Sequence, residues 1–167
     1  GCIFGRLSTP RSHRFYRVTT PGCTVRLAGS MGTIIEYRAE GAMTVAPPST
    51  HPSGEAITFE SRDELGVSTR ETLVQSCRLV AAVVELSSHY IAGKRHRVAL
   101  SFAALLVKAG ASIDRAKACI AALCELTDDD EPEDRIRAVE TTFRRHAAGE
   151  AIAGIGPLAG EVGDRVA

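Results

Sequence analysis

The polar side chains best suited to chemistry in this sequence lie in one loop, over residues 47–54. Proline fixes φ and lacks a backbone N–H, so Pro47-Pro48 predicts a stiff, extended segment that cannot be an ordinary central strand. Three polar residues alternate along this segment: Ser49, His51 and Ser53. Alternate side chains of an extended chain point to one side, so a rigid loop of this kind could present donors to a phosphate or a nucleotide.

A single carboxylate, Glu36, precedes this loop and follows the apolar pair Ile34-Ile35, which favours a strand. Five arginines come before it: Arg6, Arg11, Arg14, Arg17 and Arg26. Because arginine makes bidentate contacts with phosphate, a wholly basic opening around His13 suits binding of a polyphosphate or a nucleic-acid template. The alternative, that some of these arginines only solvate an edge strand, stays open.

The segment 8–18, with His13 at its centre, together with Glu36 and the loop 47–54, resembles the bifunctional primase–polymerase domain of the archaeo-eukaryotic primase superfamily. Such enzymes make primers for DNA replication by nucleotidyl transfer and are common in phages, plasmids and mobile elements. The resemblance covers residues 1–54, and the helical remainder is similar, more loosely, to the accessory domain that often follows the core. In the family, a first motif supplies two acidic metal ligands, a second places a histidine near the nucleotide, and a third adds a carboxylate.

By this resemblance, His13 corresponds to the second motif and Glu36 to the third, which implies catalytic roles for both and a metal-ligand role for Glu36. The resemblance also implies a set of nucleotide-binding residues: Arg11, Ser12, His13, Ser49, His51 and Ser53. The cofactor would be Mg²⁺ or Mn²⁺, and the partners nucleoside triphosphates, single-stranded DNA and a replicative helicase. No acid precedes Glu36, so the first motif has no counterpart. We therefore expect the C-terminal part of a primase core, inactive alone.

Composition limits the class of protein. Of 167 residues, 44% are apolar and 24% charged, which is typical of a soluble globular chain of one domain or slightly more. The sequence lacks an apolar run near the ~18 residues of a membrane span and a signal-peptide pattern, so we expect a cytoplasmic protein. The five cysteines are odd in number and lack close-paired spacing, which favours reduced, mostly buried thiols.

The pattern of the chain changes near residue 66, after a predicted linker at Ser61–Gly66. Before it, short β-like runs are separated by Gly, Pro, Ser and Thr: Cys2–Phe4, Arg14–Val18, Thr24–Leu27, Thr33–Arg38, Met43–Val45 and Ile57–Phe59. The predicted fold class is α+β, a partial β-rich remnant of a primase-type core followed by a four-helix accessory bundle. The predicted boundaries are 1–62 for the core, 67–150 for the bundle, and 151–167 for a connector and the start of a further element.

Apolar residues at three-and-four spacing predict an amphipathic helix from Thr69 to about Ser88, and a second helix spans Gly93–Ala109. Ser112 is a suitable N-cap for a third helix. A fourth spans Pro132–Ala148, with proline in its first turn and acids before it. A short turn is predicted over Leu158–Val162.

The second helix begins with Lys94, Arg95 and Arg97, where the helix dipole disfavours cations. This misplaced charge indicates nucleic-acid phosphate as a partner, with Arg14 and Arg17 as further contacts, and a solvated first turn is the equal alternative. The acidic run Asp128–Asp134 lacks the ligand spacing of a calcium loop, so capping and solubility explain it. The second functional hypothesis is accordingly a non-enzymatic helical module that binds DNA or a helicase.

Overall fold

The computed structural model describes residues 1–154, and its fold class is α+β. Six strands come first: β1 (Cys2–Arg6), β2 (Thr9–Arg17), β3 (Val25–Gly29), β4 (Gly32–Tyr37), β5 (Thr58–Arg62) and β6 (Gly66–Val67). Four helices follow: α1 (Arg70–Ser87), α2 (Arg95–Lys108), α3 (Ile113–Leu126) and α4 (Pro132–Ala147). The chain forms two compact units, Gly1–Arg78 and the residues from Leu79 onward, which we call the β unit and the helical unit. The predicted turn at Leu158–Val162 lies outside the described residues.

The larger sheet of the β unit is mixed and has the strand order β5-β1-β2-β6. β1 is antiparallel to both neighbours, and the short β6 is parallel to β2. The register places Phe4 opposite both His13 and Phe59, and residues paired in this way share one face. Gly5 permits the close approach of β2, because a Cβ there would lie 2.6 Å from the carbonyl oxygen of Thr9. The sheet thus gathers aromatic rings on the face that carries His13.

The second sheet is the hairpin of β3 and β4. Its apolar pairs are Val25–Tyr37 and Leu27–Ile35. Arg26 and Glu36 pair between them, and because side chains alternate along a strand, these two lie on the opposite face. The hairpin therefore separates an apolar face from a charged face, and it is this alternation that positions the predicted carboxylate.

The apolar core of the β unit is small. Its buried hydrophobic residues are Phe4, Tyr37, Ile57 and Val74. The Phe4 ring lies 4.7 Å from Phe15 and 6.0 Å from Phe59, measured between ring centroids. The hydroxyl of Tyr37 donates to the carbonyl of Pro21 at 2.9 Å, which anchors the end of the hairpin.

The helical unit has a much larger apolar core, to which all four helices and the segment after α1 contribute. Its largest fully buried side chains are Tyr90, Val98, Ile120, Leu123 and Val139. The side chain of Ser112 accepts a hydrogen bond from the backbone N–H of Arg115, and Pro132 stands in the first turn of α4. The four predicted helices and the Ser112 N-cap are confirmed.

Two predictions about the β-like segments are wrong. Met43–Val45 is not a strand, and its first carbonyl accepts a hydrogen bond from the side chain of Arg38 at 3.1 Å instead of a strand partner. The predicted linker Ser61–Gly66 begins inside β5 and ends inside β6. Its ends are strands because they pair with β1 and β2, and pairing over such a distance leaves no local signal in the sequence.

The loop over residues 47–54 is a tight turn and not the extended segment predicted. Thr50 forms an isolated antiparallel bridge with Ala56, and the N–H of His51 donates to the carbonyl of Glu55 at 2.8 Å. Gly54 has a φ of 87°, in the region that glycine enters at no steric cost. The chain therefore folds back on itself after the two prolines.

All five cysteines are free thiols. Cys119 and Cys124 are buried, Cys2 and Cys77 are half-buried, and Cys23 is exposed, so four of the five thiols are at least partly buried and Cys23 is the exception. None of the helices in the described part of the chain is both long and apolar enough to cross a membrane.

Candidate functional site

The charged face of the β3–β4 hairpin holds one carboxylate between two arginines. Arg26 Nε lies 2.5 Å from Glu36 Oε1, and Arg38 Nη2 lies 2.7 Å from Glu36 Oε2. Arg26 is the cross-strand partner of Glu36, and Arg38 follows it by two positions, which explains why all three meet on one face. Hydrogen bonds from Arg38 and then from Arg26 hold the pKa of Glu36 below its usual range. The carboxylate is therefore ionised and engaged at both oxygens.

His13 stands on β2 with its ring stacked on Phe4, at 4.7 Å between centroids and an interplanar angle of 13°. Its Nδ1 lies 3.0 Å from the hydroxyl oxygen of Ser12. Burial lowers the pKa of His13, and the positive charges of Arg38 and Arg6 lower it further. Since the pKa falls from an ordinary value of 6.5, the imidazole is neutral at pH 7.

Arg38 binds Glu36, and its charge also affects His13. Its guanidinium binds Glu36 and its charge lowers the pKa of His13, and it also donates from Nη1 to the carbonyl of Met43 at 3.1 Å and the hydroxyl of Thr44 at 3.4 Å. Bonds on several sides fix the orientation of this side chain. The sequence did not assign this arginine to the site.

Glu55, which sequence reasoning missed, gathers the polar groups of the loop. Its carboxylate accepts from the N–H and the hydroxyl of Ser8, each at 2.8 Å, and from Ser53 at 3.0 Å, and it pairs with Arg6 at 3.2 Å. The Ser53 hydroxyl also lies 2.9 Å from Nδ1 of His51. Hydrogen bonds from the backbone and then the side chain of Ser8 hold the pKa of Glu55 low. The polar groups of this loop are therefore largely engaged with one another and with Glu55.

The other residues predicted to bind nucleotide or template have separate surroundings. Arg11 lies 3.8 Å from Glu60 and has a positive φ of 55°. Arg14 and Arg17 are exposed along β2. Ser49 takes part through its backbone, as an acceptor and a donor of turn hydrogen bonds. Of the predicted site, Ser12 and His13 contact each other, and Glu36 lies in the separate cluster with Arg26 and Arg38.

The residues described do not fit a Mg²⁺ or Mn²⁺ site. Within residues 1–154, no group of three His, Cys, Asp or Glu side chains is arranged to hold a metal ion. Glu36, the predicted metal ligand, has a guanidinium group at each oxygen. Two divalent ions in nucleotidyl transfer are normally held by shared carboxylates, and one occupied carboxylate cannot supply them.

The charged residues of the helical unit form a network of their own around Asp129. Its buried carboxylate accepts from the Tyr90 hydroxyl at 2.8 Å and from Arg135 Nε at 3.1 Å. Arg95 Nη1 lies 3.6 Å from Asp129, and its Nη2 donates to the carbonyl of Thr127 at 3.0 Å. Burial raises the pKa of Asp129, but the hydrogen bonds and the charge of Arg135 outweigh it, so the pKa is lowered.

This network explains why one of the basic residues at the start of α2, Arg95, is there. The charge of Arg95 is balanced by Asp129 and Asp130. Lys94 is half-buried and Arg97 is exposed. The acidic run Asp128–Asp134, expected only to cap and solubilise, contains the buried anchor Asp129. The misplaced charge that indicated a nucleic-acid partner thus has a structural role at Arg95, and no specific observation favours a helical DNA-binding module.

One signal could have revealed the hairpin that carries Glu36. Two glycines and a serine in Gly29-Ser30-Met31-Gly32 separate two short β-like runs, which is a hairpin pattern. A regular alignment from Gly29 and Gly32 places Arg26 opposite Ile35, and it is the register shift between Leu27 and Ala28 that brings Arg26 opposite Glu36.

No protein-family model, no curated protein and no solved structure matches this chain. The resemblance to primase–polymerases therefore stays a prediction.

Proposed function

We propose that this chain is the C-terminal part of a primase–polymerase core with its helical accessory domain, and that its β unit binds the triphosphate of a nucleotide beside His13 and Arg38. The parent enzyme would make primers on single-stranded DNA in the cytoplasm. Nucleotidyl transfer is proposed for that parent and not for this chain alone, because the two acids of the first motif have no counterpart before Glu36.

The observation that carries this proposal is the position of Arg38. Its guanidinium binds Glu36, the carboxylate assigned to the third motif, and its charge lowers the pKa of His13, twenty-three positions before Glu36 and on another strand. An imidazole and guanidinium groups provide donors and positive charge for phosphate oxygens.

The neutral imidazole of His13 suits a phosphate-binding role by hydrogen bonding. In the tautomer whose Nδ1 accepts from the hydroxyl of Ser12, Nε2 carries the proton and can donate to a phosphate oxygen. Stacking on Phe4 holds the ring in place, so the donor is fixed before the ligand arrives. Arg38 would supply the charge that the neutral ring lacks.

Titration calorimetry with a nucleoside triphosphate tests the proposal, in one buffer with Mn²⁺ and in another with EDTA. We expect binding in at least one buffer, and we expect His13→Ala to weaken it by about tenfold or more, the loss of a hydrogen bond to a charged group. His146→Ala is the matched control, since it removes an exposed imidazole from the helical unit and should leave the affinity unchanged.

Two results would contradict the proposal. One is a folded wild-type protein that binds no triphosphate in either buffer. The other is a His13→Ala variant that binds as tightly as the wild type, which would leave the family resemblance as ancestry only.

A further inference from the structure

Exposure is distributed unequally over the three charged residues of the hairpin. The side chain of Glu36 is only 14% exposed, whereas Arg38 is 42% and Arg26 is 67% exposed. The carboxylate of Glu36 is therefore largely covered, and the side chains of Arg26 and Arg38 reach the solvent. An approaching molecule therefore meets positive charge, and the three residues together carry a net charge of plus one.

The hydrogen bonds explain how the two cations stay in place. Arg26 contacts Glu36 through Nε, and its side chain is largely exposed. Arg38 is held at Glu36 and again at Met43 and Thr44. Two guanidinium groups near each other repel, and the carboxylate between them offsets that repulsion.

We propose that Glu36 is a positioning residue of a metal-independent anion site, in which its carboxylate holds Arg26 and Arg38 to bind a polyphosphate. This inference rests on the proposed function, which identifies the ligand as the phosphate groups of a nucleotide. It differs from what the primase resemblance implies, namely that Glu36 binds a metal ion. Fixing the donors before binding lowers the entropy lost when the anion binds.

Replacement of Glu36 by glutamine distinguishes this role from simple electrostatics. Glu36→Gln removes a negative charge next to the bound anion, and charge alone would make an anion bind more tightly. If Glu36 positions the arginines, the same change releases them and weakens binding. The two accounts therefore predict opposite signs.

The experiment is titration calorimetry of inorganic tripolyphosphate in EDTA, with the wild type and Glu36→Gln. We expect Glu36→Gln to weaken binding by about tenfold. Equal or tighter binding by Glu36→Gln would overturn the inference.

A double-mutant cycle with Arg38→Ala separates positioning from a general structural role. Once Arg38 is absent, Glu36→Gln should cost much less affinity, whereas independent effects would add. Arg26→Lys is a second test that does not threaten the fold, because Arg26 is largely exposed and the charge is kept. We expect weaker binding of tripolyphosphate, since lysine lacks the planar fork, and unchanged affinity would contradict the inference.

Failure of this inference can be told apart from failure of the proposed function. Triphosphate binding that occurs only with Mn²⁺ and is lost in His13→Ala would overturn the metal-independent site and leave the proposed function standing. Absence of binding in both buffers would overturn both. We further expect a deoxynucleoside triphosphate, and not a single-stranded oligothymidylate, to displace tripolyphosphate. Displacement by the oligothymidylate alone would overturn the assignment of the site to a nucleotide.

Discussion

Charged residues are arranged in opposite ways in the two units of this chain. In the helical unit, the Asp129 side chain is fully buried and that of Arg135 is 6% exposed, and their charges balance each other inside the fold. In the β unit, the arginines around Glu36 are exposed while the acid is covered. Charges that are matched inside a fold serve stability, whereas charges of one sign that face the solvent are available to a ligand.

The apolar cores of the two units also differ, in size. The helical unit buries fourteen residues in one apolar cluster, and the β unit has only four buried hydrophobic residues. Because hydrophobic burial is the main favourable contribution to folding, the helical unit should be the more stable of the two. We therefore expect mutations in the helical unit to affect mainly stability and mutations on the β unit to affect mainly binding.

The largest effect is expected from Asp129→Ala. This change leaves the buried Arg135 without its ion pair and the Tyr90 hydroxyl without its acceptor, and removal of one partner from a buried pair costs about 3–5 kcal/mol. Hydrogen exchange of the amides of α2 to α4 would measure the loss in the free energy of unfolding.

Asp130→Asn is the matched control for that change. Asp130 also pairs with Arg95, but its side chain is 86% exposed, so we expect a loss under about 1 kcal/mol. Equal effects of the two changes would break the distinction between buried and exposed charge on which the comparison depends.

The next effect in size is expected in the β unit, from Phe4→Ala. The buried Phe4 ring supports His13, Phe15 and Phe59, and phenylalanine truncation typically costs about 3–5 kcal/mol. We expect about 3 kcal/mol, because a small core can collapse around the gap. Hydrogen exchange of β1 and β2 measures the loss, and Phe4→Leu should recover most of it.

Much of the helical unit could be predicted because its information is local. The three-and-four spacing of apolar residues predicted α1, a serine at the start of α3 indicated its cap, and Pro132 with the acids before it indicated the start of α4. The β unit was harder, because strand pairing depends on residues far apart. Ser61 is part of a strand because it pairs with β1, and Met43 is not in a strand, although the local pattern predicted the reverse.

The surroundings of the candidate site could not be predicted for the same reason. The sequence motifs pointed to His13 and Glu36, but not to their surroundings. Glu36 is engaged by Arg26 through hairpin register and by Arg38 through strand alternation, and both follow from the fold. The polar groups of the loop appeared available in sequence, yet Glu55 engages Ser53 once the turn closes.

A smaller effect is expected from Ser112→Ala, which removes the N-cap of α3. The Ser112 hydroxyl accepts the N–H of Arg115 at 3.3 Å, and loss of such a cap costs about 1 kcal/mol. Ser112→Asp should keep the stability, because aspartate is an equally good cap. Denaturant unfolding followed by far-UV circular dichroism tests both, and triphosphate affinity should change in neither.

The smallest effect is a pH dependence that originates at His13. Its pKa is lower in the folded state than the ordinary value of 6.5, so the unfolded state binds more protons as the pH falls through that range. The free energy of unfolding should therefore decrease as the pH falls from 7 to below 6.5. The loss should be under about 1 kcal/mol, because the ring is partly solvated.

Unfolding at pH 7.5 and 5.5, roughly one unit on either side of the ordinary histidine value, measures this dependence. His13→Gln should remove its part of the slope, and Arg38→Ala should reduce it by removing one cause of the low pKa. An unchanged slope in His13→Gln would place the dependence on another residue.

The most direct test of the central claim is to follow the imidazole resonances of the five histidines by NMR while a nucleoside triphosphate is added. The resonance that is missing from the spectrum of His13→Gln is that of His13. The account predicts that the His13 resonance shifts most, in a saturable way, while those of His96 and His146 in the helical unit stay in place. A His13 resonance that does not move while that of His96 or His146 does would contradict the claim that the β unit holds the phosphate site.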